Sequence, residues 1–379
     1  MDSLTQIVLG ASVGEAVLGK KIGNRAMLWG AIAGTIPDLD VFIRYFTDPI
    51  TSTEIHRGVS HSILFAIVMA FVLGWLVHKN EKLTFGLLTL SVFGLTAIVT
   101  PSAMFRIIMI LLILGVFTLI YFTKIKSTVT AKDWGKLFFW SLVTHPLLDA
   151  HTTWGTQLFW PFEYRLAYKN IFVADPLYTV PFLILVIAAL CYKRSNTKRT
   201  KINNWALIIS TSYMALTLVF KGIAQYKFDS ALKEQGIAYT EMDTQPTPLN
   251  SILWSAQIET KTGFTSGYYS LFDSRPIAFH TEIPKGHYLL KPYENNKQVQ
   301  QIKKIATSWY FVEKDTNGLV FTDIRFGQFG FDDSAQYMWK YNLKKNINGK
   351  LEVERSDFSP RDTNMKKAFG DLWTRIKGN

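Results

Sequence analysis

The chain has 379 residues, of which 48% are hydrophobic and 18% are charged, and its net charge is +12 at pH 7. This charged fraction is low for a soluble protein, and a single cysteine, Cys191, excludes both a disulfide framework and a thiolate metal site. Residues 1–224 hold +9 of the net charge and residues 225–379 hold +3. Because loop charge sets the topology of membrane proteins, this excess of base requires no nucleic-acid partner.

The hydropathy of the chain changes near residue 224. Apolar runs of about 15–20 residues precede this point, whereas polar and apolar residues alternate after it. We therefore predict an α-helical polytopic membrane domain at residues 1–224, with about eight membrane segments, and a small β-rich α+β soluble domain at residues 225–379. The predicted segments are Leu4–Leu18, Ala26–Ile36, Ile63–Val77, Leu83–Val99, Ile107–Phe122, Leu137–Leu148, Ile171–Tyr192 and Ala206–Phe220.

The first two segments combine small residues with one acid. The spacings Gly10-x-x-x-Gly14 and Gly30-x-x-x-Gly34 would let two helix backbones approach closely in lipid. Chance in a Gly/Ala-rich stretch is the alternative explanation. Glu15 lies in the apolar first segment, where we expect it to pair with Lys20 or Arg25.

Four connections between the predicted segments carry most of the basic residues. They hold 14 of the 20 Lys and Arg residues of 1–224, and threading the chain back and forth puts them all on one side of the membrane. The positive-inside rule identifies this side as the cytoplasm and places residues 225–379 outside it. The residues are Lys20, Lys21 and Arg25; Lys79 and Lys82; Lys124, Lys126, Lys132 and Lys136; and Lys193, Arg194, Lys198, Arg199 and Lys201.

Three polar clusters are predicted to meet at the opposite, non-cytoplasmic face. Acids contribute little to topology, so the convergence of acids and histidines at one face needs another cause. Ionisable groups near membrane depth are costly and are usually functional. The clusters contain Asp38 and Asp40, His56 and His61, and His145 and Asp149.

The third cluster has helical spacing. His145 and Asp149 are four residues apart, which would present both side chains on one helix face. Pro146 offers an alternative, because a residue before proline avoids the α region and His145 could lie at a kink or ahead of the first turn.

The other two clusters have the spacing of turns and loops. Pro37-Asp38-Leu39-Asp40 is expected in extended or turn geometry, with both carboxylates on one side. His56 and His61 fit a loop that leads into a helix, with Ser60 as its cap. Taken singly, each cluster also has a structural explanation as a hydrogen-bonded histidine, a helix-ending turn or an acid that orients a ring.

Together the clusters offer the ligands of a divalent metal. Imidazole and carboxylate bind zinc and manganese, and we predict one or two ions, with zinc preferred and manganese as the alternative. Such a site suits phosphoester hydrolysis. Arg57 would bind a phosphate bidentately, and a free carboxylate, Asp40 or Asp149, would act as general base. The predicted metal ligands are Asp38, Asp40, His56, His61, His145 and Asp149.

Four ordered motifs within roughly residues 1–165 are similar to those of a known family. They read M-D-S-L-T, I-P-D-L-D, H-R-G-V-S-H-S and H-P-L-L-D-A-H-T-T-W-G-T-Q-L-F-W-P-F. On these motifs the chain resembles the bacterial inner-membrane family of proposed metal-dependent hydrolases of the YdjM/YbcI type. The resemblance implies a multi-pass inner-membrane protein with a metal-dependent hydrolase site.

The resemblance also implies site positions. It adds Asp2 to the metal ligands above, with Thr152 and Gly155 completing the last motif. The N-terminus lacks a signal-peptide cleavage site, so Asp2 is expected in the mature chain. Many members have histidine where this chain has Gln6, which removes one ligand or the second metal; His151 could replace it or be a surface residue.

Aromatic residues follow the last motif, and strand patterns follow residue 225. Trp154, Phe159, Trp160 and Phe162 are typical of an interfacial aromatic belt, with substrate contact as the alternative.

The soluble half has no catalytic motif, and we expect structural roles for His280 and His287. Turns are expected at Gln245–Pro248, Asn317-Gly318 and Asn348-Gly349, with Ser359-Pro360 before a final helix. The predicted strands and first helix are Ile252–Glu259, Gly267–Phe272, Trp309–Glu313, Leu319–Arg325, Tyr337–Leu343 and Gln298–Ser308.

Three functions fit these patterns. We prefer a membrane-bound metal-dependent hydrolase that acts on a phosphoester in a membrane lipid or a lipid-linked envelope substrate, with the soluble domain as a lid or recruiting module. The alternative is a non-enzymatic membrane protein with a structural metal site and a partner-binding soluble domain. A transporter fits less well, because the acids cluster at segment ends and no half of the chain is repeated. The sequence indicates no oligomeric state.

Overall fold

The computed structural model describes residues 1–122, 129–316, 318–331, 335–346, 348–357 and 365–378. Five residues of the predictions above lie outside the described residues. They are Lys124, Lys126, Asn317, Ser359 and Pro360.

The first part of the chain is helical. Two 3-10 helices lie between the described α-helices of this part. The first, Pro37–Tyr45, contains Asp38 and Asp40, and the second, Val59–His61, contains His61. The α-helices are α1 (Ser3–Ile22), α2 (Asn24–Thr35), α3 (Pro49–Ile55), α4 (Ile63–Val99), α5 (Ala103–Phe122), α6 (Ala131–Asp149), α7 (Pro176–Leu190) and α8 (Thr197–Glu234).

Two of the described helices, α4 and α8, are long and apolar enough to cross a membrane. A third span is obtained if α2 and the following 3-10 helix, bent by 44°, are counted as one. Helix α7 and residues Ala103–Leu119 are apolar but shorter. Two predicted segments fall within α4, which is broken at Asn80 by backbone angles of φ −154° and ψ 91°. Length and composition therefore support two or three spans.

Helices α1 and α2 pack at the predicted glycines. A Cβ added to Gly10 or Gly14 would overlap the backbone carbonyl oxygen of Gly30 or Ala26 on the other helix. A Cβ on Gly34 would lie 2.6 Å from the carbonyl oxygen of Gln6. The glycine spacing therefore allows backbone-to-backbone contact, as small residues do between membrane helices.

The basic connections meet at one end of the helical region. Lys21, in the last turn of α1, donates to Asp133 near the start of α6 at 2.8 Å, and Arg194, after α7, donates to the Lys21 carbonyl at 2.7 Å. His78 of α4 lies 3.1 Å from the carbonyl oxygen of Val129. The end of α2 and the end of α6 therefore point away from this basic end, toward the start of α4.

One buried ion pair corrects the predicted partner of Glu15. Arg199 of α8 donates to both Glu15 carboxylate oxygens, at 2.7 and 2.5 Å, and both side chains are buried. Arg25 pairs with Glu81 instead, so neither Lys20 nor Arg25 is the partner. The prediction was wrong because Arg199 is 184 residues away in the chain, a separation at which spacing carries no information.

Two antiparallel four-stranded sheets follow α8, with the strand orders β1-β2-β3-β4 and β5-β6-β7-β8. Five strands and helix α9 match predicted elements, whereas β1, β4 and β8 were not predicted; Gln245 and Pro246, a predicted turn, end β1. The strands are β1 (Glu241–Pro246), β2 (Leu253–Glu259), β3 (Gly263–Ser270), β4 (Ile283–Pro284), β5 (Tyr310–Asp315), β6 (Gly318–Phe329), β7 (Gln336–Lys345) and β8 (Leu351–Asp357). The helices are α9 (Lys297–Ala306) and α10 (Met365–Ile376).

The helical region and the sheets share hydrophobic cores. Phe228 and Leu232, near the end of α8, pack with Trp254 of β2, and Ile50 of α3 packs in the core of the second sheet with Val299 of α9. The predicted domain boundary at residue 224 falls inside α8. These contacts hold the sheets against the end of the helical region at which α2 and α6 finish.

Candidate metal centre

Four predicted metal ligands come together where three helical elements end or begin. Asp38 lies in the 3-10 helix after α2, His61 ends the 3-10 helix before α4, and His145 and Asp149 lie in the last turns of α6. One ligand atom from each of the four lies within 4.8 Å of the others. Helix α6 continues through Pro146, so the four-residue spacing presents both of its ligands on one face.

Five of the six distances between these ligand atoms lie between 3.2 and 3.5 Å. Nε2 of His61 and Nε2 of His145 are 3.2 Å apart, and they lie 3.2 and 3.3 Å from Oδ2 of Asp149. Oδ1 of Asp38 lies 3.5 and 3.4 Å from the same two nitrogens. A tetrahedral ion with bonds of about 2.0–2.1 Å has ligand–ligand edges of about 3.3–3.4 Å, so the spacing fits a cation at the centre.

A backbone carbonyl sets the tautomer of His145. Nδ1 of its ring lies 2.6 Å from the carbonyl oxygen of Gly34, at the end of α2. A carbonyl oxygen can only accept, so Nδ1 carries the proton and Nε2 presents its lone pair to the cluster.

The hydroxyl of Ser60 and the carboxylate of Asp40 set the tautomer of His61. Ser60 Oγ lies 3.0 Å from Nδ1 of His61 and donates to Oδ2 of Asp40 at 3.1 Å. Because the hydroxyl proton is directed to Asp40, the hydroxyl oxygen accepts from Nδ1–H. The second ring nitrogen, Nε2, therefore also presents a lone pair to the cluster.

The cluster leaves buried acceptors facing one another. When both rings are neutral and carry their protons on Nδ1, the two Nε2 atoms have no proton to share, and the fully buried Oδ2 of Asp149 has an ion pair with Arg57 Nε at 3.1 Å but no hydrogen bond. Buried acceptors without a donor are costly. A divalent cation between them would remove this cost, so Asp38, His61, His145 and Asp149 form a buried cluster that fits a metal ion.

Polar neighbours fix the remaining atoms of Asp149. Gln6 donates to Oδ1 at 2.9 Å, and the amino group of Met1 also pairs with Oδ1. Arg57, itself buried, places Nε 3.1 Å from Oδ2 and donates through Nη1 to Thr152 at 2.9 Å. Position 6, where the resemblance places histidine, therefore contacts a cluster residue.

Three other predicted ligands lie outside this group of four. Asp2 caps α1 by accepting from the backbone N–H of Thr5 at 3.1 Å. Asp40 accepts from the backbone N–H of Arg57 at 2.8 Å and lies 3.0 Å from Nδ1 of His56. Asp40 thus approaches Nδ1 of His61, on the opposite side of that ring from the cluster.

Two local expectations are corrected. Asp38 and Asp40 do not lie side by side, because they belong to a 3-10 helix, in which residues two apart are about 240° apart around the axis. The cap of α4 is Ser62, which accepts from the backbone N–H of Phe65 at 3.0 Å, and not Ser60. Ser60 instead joins Asp40 to His61.

Residues of the last motif contact the cluster or its neighbours. Thr152 also donates to the Asp149 carbonyl at 2.7 Å, and Gly155 has a φ of +67°, a conformation that favours glycine. His151 lies outside the cluster: its ring contacts Asn170 at 2.8 Å, and burial lowers its pKa. Gly34, whose carbonyl orients His145, carried no sequence signal beyond its helix-packing motif.

The aromatic residues after the motif divide into two groups. Phe159 and Phe162 are more than half exposed, and Trp160 is 37% exposed, in keeping with an interfacial position. Trp154 instead stacks on Phe326 of β6, with ring centroids 5.5 Å apart.

The match to a known family covers most of the helical region. The family of YdjM inner membrane proteins matches residues 1–226, which include all four cluster residues, the whole of α4 and most of α8. No curated protein and no solved structure matches the chain. The protein thus belongs to the YdjM inner membrane protein family.

Proposed function

We propose that this protein is a membrane-bound metal-dependent hydrolase that acts on a phosphoester or a lipid-linked envelope substrate. One observation supports it above all: two imidazole nitrogens and two carboxylates converge on one point, and Arg57, which contacts Asp149, lines a neighbouring cavity. Asp38, His61, His145 and Asp149 would hold the ion.

Zinc fits this ligand set best. Octahedral coordination with neighbouring ligands 3.2–3.5 Å apart would need bonds of about 2.3–2.5 Å, which suit calcium, an ion that takes oxygen ligands. Two imidazole nitrogens and two carboxylate oxygens at tetrahedral spacing are instead typical of zinc. When bound, such an ion lowers the pKa of a water molecule and polarises a phosphoryl oxygen.

The surrounding charge favours an anionic substrate. Asp38, Asp149 and Arg57 together carry −1, so a divalent ion would leave these three residues with net charge +1 before the amino group of Met1, which pairs with Asp149, is counted. Arg57 lies between the cluster and the cavity, where its guanidinium would orient a phosphoryl group.

A histidine next to the cluster is suited to proton transfer. His56 lines the cavity and lies 3.0 Å from Asp40 through Nδ1, so Asp40 orients its ring. Histidine oriented by a carboxylate is the common form of a general base. Asp149 is fully buried within the ligand group, so Asp40 and His56 are the better pair for this role.

We further propose that the site and residues 225–379 face away from the cytoplasm, on a membrane domain of about eight segments spanning residues 1–224. The gathering of Lys21, Arg194 and the start of α6 at the opposite end supports this orientation under the positive-inside rule. Protease added to inverted vesicles would leave residues 225–379 intact.

A structural metal site is the second candidate function. Four protein ligands close a tetrahedron, as in structural zinc sites, whereas catalytic sites keep a position open. Structural sites, however, are built mainly from cysteine, and the cluster has none. The carboxylate of Asp38 is 21% exposed, which gives the cluster one solvent-facing ligand.

Elemental analysis of detergent-purified full-length protein, together with hydrolysis of bis(4-nitrophenyl) phosphate, tests the proposal. We expect about one zinc per chain in the wild type, and loss of both metal and turnover in His61→Ala. His78→Ala, at the basic end, is the matched control and should keep both. His56→Ala should keep the metal and lose turnover.

The two candidate functions predict different results. A structural site would bind zinc without turnover of any phosphoester. Full zinc content in His61→Ala would show that these residues do not hold the ion.

A further inference from the structure

A cavity of about 470 Å³ lies between the metal cluster and the sheets. His56 and Arg57, which contact the cluster or its immediate neighbours, line the cavity from the helical side. Phe326 of β6, Trp339 of β7 and Arg355 of β8 line it from the second sheet. Both halves of the chain therefore contribute to one partly open cavity.

Aromatic rings form one wall of the cavity. Trp154 lies with its ring centroid 5.5 Å from Phe326 and 5.6 Å from Trp339, and the two sheet residues stack on each other at 4.8 Å. All three side chains are partly exposed and line the cavity. Such a rigid aromatic wall binds an apolar chain or a flat ring.

Cations line the same cavity. Arg44, Arg57 and Arg355 are among its lining residues, with Asp40 as the one acid among those described. Asp40 already accepts hydrogen bonds from the Arg57 backbone and from Ser60, so its charge is partly compensated. The guanidinium carbon of Arg355 lies 4.1 Å from the centroid of the Trp339 ring, which places a cation beside the apolar wall.

Two further arginines lie beside this wall, and one of them, Arg325, is paired with the buried Asp323. Arg165 lies over the Trp154 ring at 5.4 Å, and Arg325 lies over it at 5.5 Å. Burial, and then the charges of Arg325 and Arg57, lower the pKa of Arg165 to about 10, at which it is still charged at neutral pH. An anion is therefore favoured at this point of the molecule.

The volume limits the size of the ligand. Small-molecule sites have volumes of about 300–1,000 Å³, and this cavity is in the lower half of that range. It has room for a phosphoryl headgroup and one apolar substituent, so the acyl chains of a whole phospholipid would stay outside.

We propose that this cavity binds a phosphate ester that carries an apolar group. Arg44 and Arg355 contribute the positive charge, and the wall of Trp154, Phe326 and Trp339 packs against the apolar group. This inference rests on the proposed function only for the fate of the bound ester; binding itself uses residues outside the metal cluster. The second sheet thus selects the substrate.

Equilibrium binding to full-length protein in detergent, after removal of metal by a chelator, tests the inference apart from hydrolysis. The probe is 4-nitrophenyl phosphate, compared with inorganic phosphate and with 4-nitrophenol. We expect the probe to bind at least about tenfold more tightly than either fragment, since only the probe engages both walls.

Two variants test the charged part and the aromatic part of the cavity separately. We expect Arg355→Gln and Trp339→Ala each to weaken probe binding by about tenfold or more. Their controls are Lys344→Gln, an exposed cation on the same sheet, and Trp373→Ala, an exposed aromatic residue on α10. Both controls should bind the probe within about twofold of wild type, as surface substitutions do.

The outcomes separate this inference from the proposed function. Tight, variant-sensitive binding without hydrolysis would support the cavity and contradict the hydrolase. Equal affinity for probe and phosphate, or unchanged binding in both cavity variants, would overturn the cavity even if the protein hydrolyses phosphoesters.

A second probe identifies the source of the ester. Dihexanoyl phosphatidic acid, a short lipid with the same phosphoryl group, is titrated in the same way. Tighter binding than 4-nitrophenyl phosphate would support a lipid headgroup as the ligand, and weaker binding would support a water-soluble ester. Failure of both probes to bind would overturn the inference.

Discussion

Two buried clusters of ionisable residues among the described helices, Glu15 with Arg199 and the metal cluster, are completed in different ways. In the first, Arg199 donates to both oxygens of Glu15 and, through Nη1, to Asn24 and to the carbonyl of Tyr192. Each charge in that cluster has a partner from the chain itself. In the metal cluster, the Nε2 atoms of His61 and His145 lie 3.2 Å apart, and in neutral rings protonated at Nδ1 both are acceptors.

This difference separates a cluster that the chain completes by itself from one that could hold a metal ion. Both clusters are buried and both lie in apolar surroundings, so neither burial nor charge distinguishes them. The distinction is the balance of donors and acceptors: Glu15 and Arg199 supply one of each, whereas the metal cluster has acceptors in excess. Buried acceptors that converge in this way are compatible with a metal ion.

Breaking the Glu15–Arg199 pair should have the largest effect. Arg199→Met would leave a buried carboxylate without its partner, and we expect the free energy of unfolding to fall by about 3–5 kcal/mol. Chemical denaturation in detergent measures this change. Lys21→Met, which removes an exposed ion pair with Asp133, is the control and should cost less than about 1 kcal/mol. Equal losses in the two variants would contradict the structural role of the buried pair.

Removing the metal should have the next largest effect. An ion present at about 1,000 times its dissociation constant stabilises the folded state by about 4 kcal/mol, so a chelator should lower the melting temperature of the wild type. His61→Ala should melt at the same temperature with and without chelator. A chelator shift that persists in His61→Ala would mean that the ion is bound elsewhere.

The hydrogen bond behind His61 should affect metal affinity more than stability. Ser60→Ala removes the hydroxyl that joins Nδ1 of His61 to Asp40, and we expect metal affinity to fall by about 10–100-fold. Competition with a chromogenic chelator measures this affinity. Affinity equal to that of the wild type would show that Ser60 does not orient the ring.

The serine two residues later should behave in the opposite way. Ser62→Ala removes the cap of α4, which should lower the free energy of unfolding by about 1 kcal/mol and leave metal affinity unchanged. The two serines therefore form a matched pair, measured in the same denaturation and competition assays. A loss of metal in Ser62→Ala would contradict this assignment.

The sequence predicted the parts of the site that depend on local spacing. His145 and Asp149 share a helix face because four residues make about one turn. The glycine spacing of α1 and α2 predicted their close contact. The roles of Asp38 and Asp40 were not separable, because their divergence depends on a 3-10 helix that the residues after Pro37 do not specify.

Contacts between distant segments could not be predicted. The pairing of Glu15 with Arg199, the packing of Ile50 in the second sheet and the stacking of Trp154 on Phe326 all join residues far apart in the chain. Spacing rules describe neighbours within one element. The residues that line the cavity come from segments far apart in the chain, so no local sequence pattern predicts the cavity.

The carbonyl of Gly34 links the geometry of a helix crossing to the chemistry of an imidazole. Its position is set by how deeply the first two helices nest at their glycines, and it selects which nitrogen of His145 is free. A methyl group at Gly10 would overlap the carbonyl oxygen of Gly30, separate α1 from α2 and move the Gly34 carbonyl away from His145. A change in lipid thickness or lateral pressure that shifts this helix pair would then change the lone pair that His145 presents to a bound ion.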